Sequence, residues 1–126
     1  MSTTNRLSHE AFGAYLRERR EALRKDDPSF SLRRVAEQIG IQPSYLSQVE
    51  RGQAASLPSE ETLERLARVL GEDPDVVLAM AGKVSQELQE VILRRPRLFG
   101  ELLRELRDAP EAAVLRVVRE VKDGEW

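Results

Sequence analysis

The chain has 126 residues and a formal net charge of −2, enough length for one domain or two very small ones. Cysteine is absent, which excludes disulfides and thiolate metal sites, and no apolar run approaches the length of a membrane span. Aromatics make up only 5%, and Leu, Ala, Arg and Glu dominate, so an all-α fold around an aliphatic core is expected.

Residues 1–7 (MSTTNRL) are polar and patternless and are expected to form a flexible tail. Ser8 is suited to cap a first helix running to about Lys25, with Ala11, Phe12, Tyr15, Leu16 and Leu23 on its buried stripe. Asp26-Asp27-Pro28 breaks it. Ser31 then caps a second helix whose inward residues are Leu32, Val35, Ala36 and Ile39, and Gly40 supplies the left-handed residue that closes it. A third helix starts near Gln42–Pro43, with proline in the first turn, where its missing N–H costs nothing. Leu46 and Val49 point inward, and Gly52 ends the helix.

After a loop over 53–58, Ser59 caps a fourth helix with Leu63, Leu66, Ala67 and Leu70 at helical spacing, stopped by Gly71. Asp73-Pro74 opens a short fifth helix through Val77 and Met80, closed by Gly82. Residues 83–126 change character. One amphipathic stretch presents Val84, Leu88, Val91 and Ile92. A second, following Pro96, presents Leu98, Phe99, Leu102, Leu103 and Leu106. Asp108-Ala109-Pro110 is a break with its own cap, and a last helix offers Val114, Leu115, Val117, Val118 and Val121 to be buried. Three such helices carry more apolar surface than so small a unit covers by itself, which implies self-association or docking on the N-terminal bundle, and of the two this segment reads as a dimerisation domain. The division expected is 1–82 and 83–126.

The distribution of charge is compatible with nucleic acid. Residues 1–57 carry nine basic and seven acidic side chains, giving +2, and residues 58–126 carry eleven basic and fifteen acidic, giving −4. Seventeen of the twenty basic residues are Arg, which suits bidentate phosphate and carboxylate pairing. The third helix is loaded outward with Gln42, Ser44, Tyr45, Ser47 and Gln48, side chains that donate and accept hydrogen bonds as base-edge readers must.

The stretch SLRRVAEQIGIQPSYLSQVERG, residues 31–52, resembles the helix-turn-helix of the Cro/phage-repressor (XRE) family, the likeness extending from Phe12 to Gly82. The resemblance implies a five-helix bundle whose third helix enters the major groove of double-stranded DNA. Gln42, Ser44, Tyr45, Ser47 and Gln48 would then face bases or phosphates, and Arg51 phosphate or solvent. It also implies a structural pair between Glu50 and Arg20. Many members carry Gln at the second position of the second helix, where it contacts a phosphate. Leu32 stands there instead, leaving Arg33 and Arg34 as phosphate candidates, with a solvated charged face as their alternative.

PRLFGELLRELRDAPEAAVLRVVREV, residues 96–121, resembles the C-terminal part of the Deinococcus DdrO-type repressors of radiation and desiccation response genes. That resemblance implies a homodimeric repressor inactivated by an IrrE/PprI-type metallopeptidase, with Leu106–Arg107 as the corresponding bond. A generic XRE regulator, or an antitoxin-type adaptor whose C-terminal helices clamp another protein, is the alternative. No cofactor and no small-molecule ligand is expected. His9 is the only histidine, and no phosphate-binding glycine loop or hydrolase motif is present, so no enzyme is expected either. The expected location is cytoplasmic, on the nucleoid.

Overall fold

The computed structural model describes residues 2–126, with side chains from residue 9 onward. Among the described residues the chain is all-α, with eight helices and no strand. It divides into two compact units, residues 1–85 and Gln86–Trp126.

The first unit contains α1 (Ser2–Arg24), a 3₁₀ turn (Pro28–Phe30), α2 (Leu32–Ile39), α3 (Pro43–Glu50), α4 (Glu60–Leu70) and α5 (Pro74–Met80). Most boundaries follow from local chemistry. The Ser31 and Ser59 hydroxyls accept from the backbone N–H groups of Arg34 and Thr62, and the Asp73 carboxylate accepts from that of Asp75, satisfying donors that the first turn leaves orphaned. Pro43 and Pro74 open α3 and α5. Gly40 and Gly71 adopt the left-handed conformation that ends α2 and α4, and each N–H returns to carbonyls of the helix it closes.

The core is aliphatic except for Phe12. Phe12 and Leu16 of α1, Val35, Ala36 and Ile39 of α2, and Leu46 and Val49 of α3 meet Leu63, Leu66, Ala67 and Leu70 of α4 and Val77 and Leu78 of α5. Arginines tie helix ends together across this core. Arg65 Nη2 donates to the Ile39 carbonyl at 3.2 Å and Arg19 Nε to the Leu70 carbonyl at 3.1 Å, each meeting a C-terminal carbonyl that its own helix leaves unpaired. Arg19 also pairs with Glu72 at 2.9 Å.

Two local expectations are corrected and a third gains detail. The first helix begins at Ser2 rather than at a cap on Ser8, since residues 2–7 contain neither proline nor glycine to stop it; the side chains of residues 1–8 lie outside the described residues. Ala11 is exposed, not on the buried stripe, whose first member among the described residues is Phe12. The Asp26-Asp27-Pro28 break contains a 3₁₀ turn capped by Asp27, whose carboxyl is held below its usual range by the hydrogen bond from the Ser29 N–H.

The second unit holds α6 (Gln86–Arg94), α7 (Pro96–Leu106) and α8 (Glu111–Asp123). None of these helices has a buried residue. Val114, Leu115, Val118 and Val121, expected to be buried, are exposed, as are Leu98, Leu102 and Leu103; Phe99, Leu106 and Val117 are half-buried. Three helices in forty-one residues have too few facing neighbours to cover their own stripes. The break before α8 also lacks the expected cap: Pro110 takes the N-cap position and makes no side-chain cap hydrogen bond.

α1 and α3 approach each other closely at Gly13. A Cβ built on Gly13 collides with the carbonyl oxygen of Val49 and comes within 2.6 Å of that of Glu50, so the two helices approach only because position 13 has no side chain. Alanine in a helix interior is normally better than glycine by about 1 kcal/mol. At this position the clash is with backbone and should outweigh that gain: Gly13→Ala is expected to destabilise the bundle by about 1–3 kcal/mol, read as a lowered midpoint in thermal or urea unfolding.

Candidate nucleic-acid interface

α3 is eight residues long, and an isolated helix of that length does not persist in water. Its inner side is held by Leu46, Val49 and Glu50, all buried. Glu50 is fixed by Arg20 of α1 in a bidentate pair, with Nε to Oε2 at 2.7 Å and Nη2 to Oε1 at 3.0 Å. Arg20 Nη1 also donates to the Phe30 carbonyl at 3.1 Å, which fastens the 3₁₀ turn to the same point. The hydrogen bond to Glu50 strengthens the hold of the guanidinium on its proton, against the opposing effect of burial. The structural pair expected from the resemblance is therefore present.

The outward side of α3 carries the polar residues. Gln42 occupies the N-cap position without a side-chain cap hydrogen bond and is exposed. Ser44 and Gln48, one turn apart, are exposed on a common face. Ser47 is half-buried, and Arg51, just past the helix, bends back so that its Nε donates to the Ser47 carbonyl at 3.3 Å. On α2, Arg33 and Arg34 are both exposed; Arg33 lies 3.7 Å from Glu37 across one helical turn, an interaction too solvated to immobilise it. Leu32 is half-buried and packs on the core, as an aliphatic side chain at that position should.

Tyr45 sits differently from its neighbours on α3. Its ring packs against the core, burial pushes its phenol up from its ordinary pKa, and its hydroxyl donates to the Ser56 carbonyl at 2.7 Å. The side chain therefore braces the loop over 53–58 against α3. Sequence reasoning passed over Arg17. It lies one turn before Arg20 on the same face of α1 and lines a crevice of 180 Å³ with Arg20, Leu32, Ser47, Glu50 and Arg51. The signal was available in the i, i+3 spacing from the pairing arginine, but on a helix with charges on several faces nothing singled it out.

Two short helices joined at a left-handed glycine, the second clasped from behind and polar in front, define a helix-turn-helix module. The helix-turn-helix domain model matches residues 11–80, more than half of the chain, and the protein belongs to that family. It is similar to two uncharacterized HTH-type transcriptional regulators of Mycobacterium tuberculosis, one from strain CDC 1551 and one from strain H37Rv. Each is 36% identical over 82 residues, covering 65% of this chain and 54% of the relative. The chain thus spans about half the length of the curated relatives it matches. No solved structure matches it significantly. Among the described residues, no helix is long and apolar enough to cross a membrane, and no group of three or more His, Cys, Asp or Glu side chains is placed to hold a metal ion.

Because the Tyr45 hydroxyl is engaged within the protein, Tyr45→Phe should cost about 0.5–1.5 kcal/mol of stability and leave discrimination between DNA sequences unchanged. Thermal unfolding and competition binding measure the two effects. Lost discrimination at an unaltered melting temperature would instead make Tyr45 a base reader.

Proposed function

We propose that the protein is a transcriptional repressor that binds a palindromic operator as a homodimer, with α3 in the major groove and the C-terminal helices holding two copies together. The observation that carries the reading is the two-sided character of α3: Leu46, Val49 and Glu50 are buried behind it while Gln42, Ser44 and Gln48 are exposed in front. An amide that reaches the groove floor pairs bidentately with adenine, and a serine hydroxyl, both donor and acceptor, can meet any base edge. Exposed Arg33 and Arg34, at the start of α2, supply phosphate contacts that set register without reading sequence. The names of the mycobacterial relatives support transcription regulation as the outcome.

Homodimerisation is supported by the second unit, where Leu98 is 63%, Leu103 56% and Val121 63% exposed on amphipathic helices. A second copy presenting the same stripes would cover them. Two modules would then engage half-sites about 34 Å apart, one helical turn of DNA. Tethering raises apparent affinity by about 10²- to 10⁴-fold through effective concentration.

The same arrangement makes the repressor switchable, and we assign it to DNA-damage response genes on the likeness of residues 96–121 to the DdrO-type proteins. A metallopeptidase cutting Leu106–Arg107 would act where α7 ends. Arg107 is its C-cap, exposed, and followed by residues outside any helix before α8. The Arg107 N–H donates to the Arg104 carbonyl and the Leu106 carbonyl accepts from the Ala109 N–H, each at 3.2 Å, so a protease would reach the bond when this last turn frays. The cut releases α8 with Val114, Leu115, Val117, Val118 and Val121, and with it the dimer.

Gln48→Ala is expected to weaken binding to the preferred sequence by about 1–3 kcal/mol while leaving the protein dimeric. Quantitative gel shift and sedimentation would test this, and full affinity in the variant would remove Gln48 as a reader. A chain ending at Leu106 should sediment as a monomer and lose about 10²- to 10⁴-fold in operator affinity. A tight dimer after that truncation would sink the switch. A full-length protein that is monomeric until a different protein is added would favour the adaptor reading.

A further inference from the structure

We infer that the crevice between α1 and α3 seats a backbone phosphate of one DNA strand, clasped by Arg17 from one side and Arg51 from the other. The inference deepens the proposed DNA-binding role and rests on it. Its walls come from all three of the first helices and the residue after α3: Arg17 and Arg20, Leu32, Ser47 and Glu50, and Arg51. The crevice encloses 180 Å³, against about 30 Å³ for one liquid water, so a phosphodiester group fits with some of its solvent.

The electrostatics are simple. Arg20 and Glu50 are 3% and 6% exposed and satisfy each other at 2.7 and 3.0 Å, so they form a near-neutral floor. Leu32 contributes hydrocarbon and no donor. The remaining charged side chains are Arg17 and Arg51, both exposed and both positive. Arg51 uses its Nε on the Ser47 carbonyl, which anchors the guanidinium beside the crevice and leaves its terminal nitrogens as donors. Two guanidinium forks flanking one cavity suit an oxyanion with several acceptor oxygens.

The position matches the path of a DNA strand. A helix with its side chains is about 10–12 Å across and nearly fills a major groove about 12 Å wide, so a phosphate backbone passes along each side of it. At 3.6 residues per turn, the Ser47–Arg51 row lies roughly 60° around α3 from the Ser44–Gln48 row. When Ser44 and Gln48 face base edges, Ser47 and Arg51 therefore face one rim of the groove, and the crevice opens there. Arg17 thus brings α1 into contact with DNA, outside the helix-turn-helix pair itself.

The test compares the full-length protein with Arg17→Gln, Arg17→Lys and the double variant Arg17→Gln/Arg51→Gln. Each is measured against an unrelated duplex and against a duplex enriched from a random pool by the unaltered protein, over a range of salt. Arg17→Gln should weaken binding to both duplexes by a similar factor, and Arg17→Lys, which keeps the charge but not the fork, should restore part of the loss. The double variant should reduce the slope of log K against log salt by about 0.9 per bound protomer. Since Arg17 and Arg51 are exposed, melting temperatures should stay the same. Unchanged affinity and slope in Arg17→Gln and in the double variant would overturn the inference, and so would a loss confined to the enriched duplex. If those results came from an unaltered protein that still binds DNA, the crevice alone would be refuted; an unaltered protein that binds neither duplex would refute the DNA-binding reading and the crevice with it.

Discussion

Moving a charged side chain out of water costs several kcal/mol per ion, and an ion pair recovers that only with good geometry and full hydrogen bonding. The Arg20–Glu50 pair meets both conditions: two parallel contacts to the carboxylate, a third to the Phe30 carbonyl and a fourth to Glu21. Against an apolar pair of the same volume such an arrangement is close to neutral in stability, whereas removing one partner typically costs about 3–5 kcal/mol. Its contribution here is directional. A planar fork on a carboxylate tolerates little rotation, so the last turn of α3 is held at one angle to α1, and Gly13 lets the two backbones close to the distance the fork needs. Together with the packing of Leu46 and Val49, that contact sets the direction in which the polar side of α3 faces.

Much of this was legible in the sequence because the signals are short-range. Ser31, Ser59 and Asp73 cap the helices they precede, Gly40 and Gly71 end helices in the left-handed conformation, and the aliphatic spacing of α4 places Leu63, Leu66, Ala67 and Leu70 in the core. The Arg20–Glu50 pair spans thirty residues and was reached through family resemblance, since no periodicity links the two positions. What the sequence left hidden depends on tertiary placement. Tyr45 carries the same hydrogen-bonding groups whether it faces DNA or a loop carbonyl, and only the position of Ser56 separates these. Arg17 is one arginine among several on α1 until α2 and α3 close a crevice beside it.

The second unit teaches the opposite lesson. Its helices α6, α7 and α8 were expected from apolar periodicity and they form, yet periodicity carries no information about what covers the apolar side. A stripe such as Leu98, Leu102 and Leu103 specifies a helix with one oily face equally well in a packed core and in an open array. Half-burial of Phe99, Leu106 and Val117 is as far as the unit goes with its own side chains. The first unit, by contrast, completes a core within itself, so the outer face of α3 takes its shape without the side chains of the second unit.

The shortness of α3 has a thermodynamic consequence. Eight residues cannot stay helical once the clasp behind them opens, so the outer surface of α3 and the bundle are lost in one step. Anything that binds that surface therefore favours the folded state of the whole first unit by mass action, by about 2.7 kcal/mol at a hundredfold excess over the dissociation constant. Occupied and unoccupied copies would then differ in their resistance to heat and to proteolysis as well as in location. A copy released from its duplex would be the less protected one.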